Sequence, residues 1–415
     1  MQSMIRNLAH SVAVLAVAIS PFVLPASAHA EEVTLVISNN QWLDSLRGER
    51  LWAAIKKYES TNPGVTLEQV AVPAQEYADR LMTEMGAGQG PDLAIVQEDL
   101  FYTLGNADFL SSLDDVVAGA QNLNVTNENG VVDGVALGLG WQRAVYALIY
   151  NRALLESSGA SLPKTTEEMI EQAKAISEAT GAIGFTSRHS MNEFRGWSYD
   201  FQNWVFGFGV EWVDSEGNLT INTPQAMAAL NAFKLAYDSG VIPIGDPMNT
   251  QRSRFKEGRV AFSIDNSGGA LNIASGGAMP SSDMGAAPMF FEHPGAHQQI
   301  FITVSKHSDH PEEAKAFLSW FVSPEGQKAM REVSGPDALA TDVPVTAEYE
   351  AVNPWAPMFA ELAKTSRSTL IPGYEAETTS IMRVVMEAVE RMLITGESAE
   401  EVLAAAQAKI DAKFD

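Results

Sequence analysis

The order of apolar and polar positions along the chain predicts short strands alternating with amphipathic helices. Val33-Thr34-Leu35-Val36-Ile37 is a β-rich run that reads as a buried strand. Leu51, Trp52, Ile55 and Tyr58 then fall on one helical face, and Asn62-Pro63-Gly64 closes that helix. A second strand over 65–72 leads into a helical stretch at 77–85. Residues 86–91, bounded by Gly86 and Pro91, break the helix before a third apolar strand at 93–96. Strand, helix, strand, helix, strand is the rhythm of a parallel, doubly wound sheet.

The same rhythm restarts near Gly140. Residues 144–150 read as a strand, and Thr165 or Thr166 caps the next helix, with Glu167 and Glu168 in its first turn. An amphipathic helix follows at 226–237 and a buried strand at 260–264. The last third turns helical, over 311–321, 324–332, 380–393 and 398–414. No internal repeat and no disordered linker separates the two regions, so two α/β lobes in close sequence contact are implied.

The first thirty residues predict export. Arg6 is the single charge between Met1 and Ala30, and an apolar stretch at 15–24 is short for a membrane span. It ends in Ala26-Ser27-Ala28-His29-Ala30, the small-residue pattern of a cleavable secretory signal, so the exported protein is expected to start near Glu31, with a cut between Ala28 and His29 as the alternative. The rest of the chain suits two domains, since single cores seldom grow past about 250–300 residues. With 0 Cys, the sequence offers no disulfide framework, no thiol nucleophile, no Cys-based zinc site and no lipoprotein anchor.

Charge narrows the partners. Lys and Arg number 27 against 52 Asp and Glu, a net charge of −25. That field repels nucleic acid and anionic membrane surfaces, and nothing resembles a phosphate-tracking basic groove. A G-x-S-x-G elbow and a Walker A loop are absent, and neither Gly86-Ala87-Gly88 nor Gly138-Leu139-Gly140 completes a dinucleotide fingerprint. His10 and His29 fall in the signal. His293 and His297 are separated by Pro294-Gly295, while His307 and His310 flank Asp309 ahead of a helix; all four read as solvated loop histidines rather than metal ligands. No carboxylate spacing marks a catalytic pair. The expectation is therefore no cofactor, no metal and no catalysis. A secreted two-lobed α/β enzyme and a metal-capture protein are the readings from other classes.

Four stretches carry a resemblance. They are Gly90-Pro91-Asp92-Leu93 with its apolar strand; residues 134–151, ending in Tyr150-Asn151 and followed by Pro163-Lys164-Thr165; Phe255-Lys256-Glu257-Gly258-Arg259-Val260-Ala261-Phe262; and Pro311-Glu312-Glu313-Ala314, continuing to Ser323-Pro324-Glu325-Gly326-Gln327 and Gly335-Pro336. In this order they resemble the maltodextrin-binding type of extracellular solute-binding protein, family 1 of ABC importer binding proteins. Two departures stand out. Gly140 occupies a usual proline, and Asp265-Asn266-Ser267-Gly268-Gly269 stands where sugar binders often place an aromatic.

The resemblance implies a type II periplasmic-binding-protein-like α/β fold, two doubly wound lobes on a multi-segment hinge. Its crossings are expected near Gln142-Arg143, near Phe301 and over 343–349. The implied division is a signal peptide at 1–30, an N-terminal lobe of 31–141 plus 301–343, and a C-terminal lobe of 142–300 plus 344–415. Ligands of open α/β sheets sit outside the carboxyl ends of the strands. That rule selects Asn40 and Trp42 after the first strand and Gln97, Glu98 and Asp99 after the third. It also selects Trp141 and Arg143 at the crossing, and Asp265, Asn266 and Ser267 after Ile264.

A carbohydrate needs hydrogen-bonding partners for its hydroxyls and an aromatic face for its C–H surface. Asn40, Glu98, Asp265 and Asn266 supply the first, and Trp42 and Trp141 the second. Trp197 and Trp204 stay open between cleft and core, while Trp52, Trp320 and Trp355 read as core. Arg143 reads as a ligand clamp rather than a hinge ion pair, which keeps a phosphorylated polyol or sugar acid open beside a neutral sugar. The function expected is that of a monomeric periplasmic binding protein that closes on a sugar or sugar-like solute and delivers it to the permease of an ABC importer.

Overall fold

The computed structural model describes residues 32–44 and 47–414, apart from the Gln75 side chain. The signal expected over 1–30 lies outside the described residues. Among the described residues there are eleven strands: β1 (Val33–Asn39), β2 (Val65–Ala71), β3 (Leu93–Gln97), β4 (Val131–Val132), β5 (Val135–Ala136), β6 (Leu139–Asn151), β7 (Ile183–Thr186), β8 (Val260–Asn266), β9 (Met284–Ala287), β10 (Ala296–Val304) and β11 (Arg367–Ser368). β4 and β5 form a separate hairpin. The others build one sheet of order β2-β1-β3-β10-β6-β8-β7, with β9 also on β6 and β11 also on β10.

Pairing is parallel at the two ends, β2-β1-β3 and β8-β7, and antiparallel through β3-β10-β6-β8 in the middle. The doubly wound expectation holds for each end. The middle is a pair of strands that cross between the halves. β6 is longer than expected, 13 residues, because glycines mask its first part. A Cβ at Gly140 would meet the Thr126 hydroxyl oxygen at 2.6 Å, and one at Gly138 would meet the Phe101 ring at 2.8 Å. Proline at position 140 would meet the same wall. The β10–β6 register shifts between Ile300 and Phe301, opposite Gln142 and Gly140, so Trp141 stands unpaired as a bulge.

The expected helices form within a few residues of their predicted limits, among them Ala74–Gly86, Pro224–Asp238, Pro311–Phe321, Pro324–Ser334, Thr378–Thr395 and Ala399–Phe414. Their starts carry the caps the sequence offered. Thr165, Thr223 and Ser323 each accept a backbone N–H three residues on, and Pro follows Thr223 and Ser323 at the first helical position. Helix Phe194–Gly207 was not legible, since burial nearly all round erases its polar face.

The core falls on either side of the crossing strands. On one side Leu35, Ile37, Leu51, Ile95 and Trp141 pack with Phe317, Leu318 and Phe321. On the other Met169, Phe185, Trp204, Phe233 and Phe262 pack with Val385, Val389 and Leu403. Each lobe thus takes chain from both before and after the crossings. Among the described residues, no helix is long and apolar enough to cross a membrane.

Candidate functional site

The carboxyl ends of β1 and β3 face the carboxyl ends of β7 and β8 across a polar seam between the lobes. The first lobe contributes Gln41 and Arg47 after β1, and Glu98 and Asp99 opening helix Glu98–Asn106 after β3. Two acids in a first helical turn sit favourably against the helix dipole. The facing lobe contributes Arg188 after β7, Arg195, Tyr199 and Asp200 on helix Phe194–Gly207, and Asp265 at the end of β8.

Several bonds cross the seam. Arg195 Nη2 donates to Asp99 Oδ2 at 3.0 Å, and the Thr379 hydroxyl donates to the same oxygen at 2.9 Å. Glu98 accepts from Ser368 at 2.9 Å and from Thr369 at 2.7 Å. Arg47 Nη2 and Gln41 Nε2 both donate to Gln142 Oε1, at 3.2 and 3.0 Å. Behind this contact layer, Asp265 takes both arms of the Arg252 fork at 2.6 and 2.7 Å, and Asp200 accepts from Arg188 at 2.5 Å. Asp337 accepts from Ser267 and lies 3.5 Å from Arg47.

Not every polar atom there is satisfied. Asp99 Oδ1, Tyr199 Oη, Asp200 Oδ1 and Gln142 Nε2 are buried without a hydrogen-bond partner. Unsatisfied buried polar atoms are costly and rare. Four along one seam, mixing acceptors, a hydroxyl and an amide donor, match a ligand whose own groups both donate and accept.

Burial dominates the electrostatics. It pushes Glu98 up to about 7, partly offset by the Thr369 and Ser368 hydroxyls, with Asp99 nearby adding to the rise. It pushes Asp200 up to about 6 despite the opposing pull of Arg188. Tyr199 and Tyr146 rise well above the ordinary phenol value, burial first, then Asp99 for Tyr199 and Asp200 for Tyr146. A buried carboxyl raised to about 7 favours the protonated form, so its stabilisation is fullest at low pH and is lost as pH rises toward 7. Glu98→Gln should therefore flatten the pH dependence of stability, removing on the order of 2–3 kcal/mol of the change between pH 5 and 8. Urea unfolding of both proteins across that range checks it; parallel curves would mean that Glu98 titrates as if in water.

The sequence-derived residues divide into three groups. Glu98, Asp99 and Asp265 sit at the seam or directly behind it, 2 %, 6 % and 0 % exposed. Asn40 is half-buried in the turn Asn40–Leu43, and Gln97 half-buried at the end of β3. Asn266 caps helix Ser267–Ala274 by accepting from the Gly269 N–H, and Ser267 donates to Asp337. That turn is thus already committed to its own helix and to Asp337.

The tryptophans and Arg143 need correction. Trp141 is fully buried, stacked on Phe321 at 5.3 Å and 10°, with its N–H donated to Gln41. Trp42 is edge-on to both Trp52 and Trp141 and donates to the Ile37 carbonyl. Trp197 and Trp204 lie in the second lobe's core, beside Phe233. Position at a strand end does not say which face a side chain takes, and apolar neighbours took Trp42 and Trp141; Trp197 and Trp204, left open between cleft and core, are core. Arg143 follows Gln142, and alternation along a strand turns it to the opposite face. Its guanidinium donates to Gln299 and to the Val125 carbonyl and forms no ion pair among the described residues, feeling the seam only through the field of Glu98. It lines a cavity of about 720 Å³ behind the crossing strands.

Sequence reasoning missed Arg47, Arg188, Arg195, Tyr199, Asp200, Ser368 and Thr379. Arg188 follows a strand just as Asp265 does, but that strand is too short and glycine-interrupted to read. Among the described residues, no three His, Asp or Glu side chains gather as a metal ion would require.

The comparisons agree with this geometry. A family model described as bacterial extracellular solute-binding protein matches residues 44–328. A putative binding protein of Brucella abortus is 24% identical over 252 residues, 59% of this chain, and the chain spans only 60% of that relative's length. A maltose-bound MalE3 of T. maritima superposes with a TM-score of 0.78 at 21% identity, covering 92% of this chain and 99% of its own. A solute-binding protein of Agrobacterium radiobacter K84 in complex with ribitol gives 0.77 at 17% identity, with 92% and 99% covered. At these identities the likenesses show the fold, a two-lobed type II binding-protein architecture.

Proposed function

The chain belongs to the bacterial extracellular solute-binding proteins, and on that premise we propose that it captures a compact, neutral sugar or polyol in the seam and delivers it to an ABC importer. The observation that carries the reading is the set of four unsatisfied buried atoms, Asp99 Oδ1, Asp200 Oδ1, Tyr199 Oη and Gln142 Nε2. Two carboxylate acceptors, a phenol and an amide donor suit hydroxyl groups, which need both partners at once. With the tryptophans in the cores, recognition rests on hydrogen bonds and on Tyr199 and Tyr146 rather than on a broad stacking platform. That favours a small solute.

Arginines at the seam invite a phosphorylated polyol or sugar acid instead. Each is already held by an acid: Arg195 by Asp99, Arg188 by Asp200, Arg252 by Asp265 and Arg47 by Asp337. The balance supports a neutral ligand. MalE3 and the Agrobacterium protein were solved with maltose and ribitol bound, which supports the same class.

The lobes are 31–141 plus 301–343 and 142–300 plus 344–415, with the segment over 1–30 a cleaved signal and the mature monomer acting in the periplasm without catalysis. The core clusters, which mix residues from either side of the crossings, support this division. Closure is driven by contacts the solute makes only with both lobes together. A thermal-shift panel of neutral sugars and polyols beside their phosphorylated and carboxylated counterparts tests the reading. The matching neutral compound should add about 2.7 kcal/mol of stability at 100 times its Kd and reduce the radius of gyration in solution scattering. Stabilisation by the charged set alone would replace the neutral ligand with the anionic one. A compound consumed during the assay would make the protein an enzyme.

A further inference from the structure

Behind the crossing strands lies the cavity of about 720 Å³ that Arg143 lines; it meets the seam at Asp337, which is shared with Arg47 and Ser267. Its volume is in the range of small-molecule sites. Its walls come from residues 124–126 of the first lobe, the segment 336–345 and helix Ala356–Ala363. Much of the lining is apolar, including Val125, Leu339, Val343, Pro344, Ala356 and Ala360.

Two guanidiniums break this apolar surface. Arg143 is only 3 % exposed; its Nε donates to Gln299 at 2.8 Å and its Nη2 to the Val125 carbonyl at 3.0 Å. Arg331 donates to the Val343 carbonyl at 2.7 Å and the Gly335 carbonyl at 2.5 Å. Among the described residues neither forms an ion pair, in a chain with 52 acids against 27 Lys and Arg. Every guanidinium at the seam has an acid within 4 Å; these two hydrogen-bond only neutral oxygens, with Asp337 acting on Arg331, and Glu98 and Glu128 on Arg143, from farther off. The nearby acids are engaged elsewhere: Asp337 with Ser267 and Arg47, Asp342 with Asn124, and Glu361 with Lys364. Glu350, exposed on the lining, forms no ion pair among the described residues.

A guanidinium largely withdrawn from water, whose hydrogen bonds all go to neutral oxygens, keeps a charge that can meet an anion directly. We propose that this cavity is a second binding site, separate from the seam, for a small amphipathic carboxylate. The carboxylate meets Arg143 and Arg331, and its apolar body lies along Val125, Leu339 and helix Ala356–Ala363. Because both lobes wall the cavity, an occupant whose affinity differs between open and closed forms is coupled to solute binding, reciprocally.

Isothermal titration of the whole chain with octanoate, and with octan-1-ol as its neutral counterpart, tests the site. Octanoate should bind one to one, with the alcohol at least tenfold weaker, about 1.4 kcal/mol or more. Arg331→Gln should weaken octanoate at least tenfold. Ala360 is an exposed lining residue, so Ala360→Trp should fill the cavity and abolish binding without lowering the melting temperature. No octanoate binding at millimolar concentration would overturn the proposal. So would equal affinity for the alcohol, or undiminished binding to folded Ala360→Trp.

Discussion

Trp141→Ala should destabilise the protein by about 3–5 kcal/mol, the cost of emptying an aromatic volume in a packed core. The ring is fully buried between Phe321, stacked at 5.3 Å, and Trp42, edge-on at 6.2 Å. The substitution also leaves Gln41 Oε1 without the indole N–H that reaches it at 2.9 Å. Gln41 keeps its bond to Gln142, so affinity for the seam ligand should fall by less than tenfold. Urea unfolding and calorimetric titration of the variant separate the two effects. Ordinary stability with lost binding would move Trp141 from the core to the cleft.

Arg188→Met should cost a comparable 3–5 kcal/mol, but only in one pH range; the figure is roughly that for stripping a buried charge of its partner. Asp200 is 2 % exposed and accepts from Arg188 at 2.5 Å, with Glu193 a further 3.7 Å contact of the same guanidinium. Without Arg188 the carboxylate is uncompensated. Its folded-state pKa is already raised to about 6 with the cation present and must rise further without it. The deficit is therefore largest in alkali, shrinks as pH falls from the variant's own raised Asp200 pKa toward 6, and levels off below 6, where the carboxyl is protonated in both folded proteins. Thermal melts at pH 5 and 8 read the difference. Adding Asp200→Leu should restore part of the loss at pH 8, since an apolar pair tolerates burial better than half an ion pair. A deficit that ignores both pH and the second substitution would place the damage in packing.

These residues mark how far the sequence could be read. The strand-helix alternation, the capping threonines and the acids after β3 and β8 were legible because each is a local pattern: periodicity, a cap, a strand end. Glu98, Asp99 and Asp265 were reached that way. Facing was not legible. Trp141 is displaced by a bulge set by its pairing with β10, a strand that did not stand out in the sequence. Arg143 is turned away by a one-residue alternation that only the register fixes. Arg47, Arg195 and the pair Ser368 and Thr379 meet the seam from three distant parts of the chain, and no spacing in sequence brings them together. Helix Phe194–Gly207 carries three of the seam's groups and was hidden by its own burial.

The interleaving of the two lobes has a consequence for the order in which the protein can fold. The first lobe's core needs Phe317, Leu318 and Phe321, and its strand β3 is paired on the inner side by β10. The second lobe needs Val385, Val389 and Leu403. A nascent chain that has reached β9 holds neither set, and β3 and β6 face each other across an unfilled gap with bare edges, the kind of edge that pairs with the wrong neighbour. Neither lobe can be completed from a contiguous stretch. The seam, with its charged pairs drawn from both, is among the last features to assemble, so a partly made chain has no site with which to compete for solute.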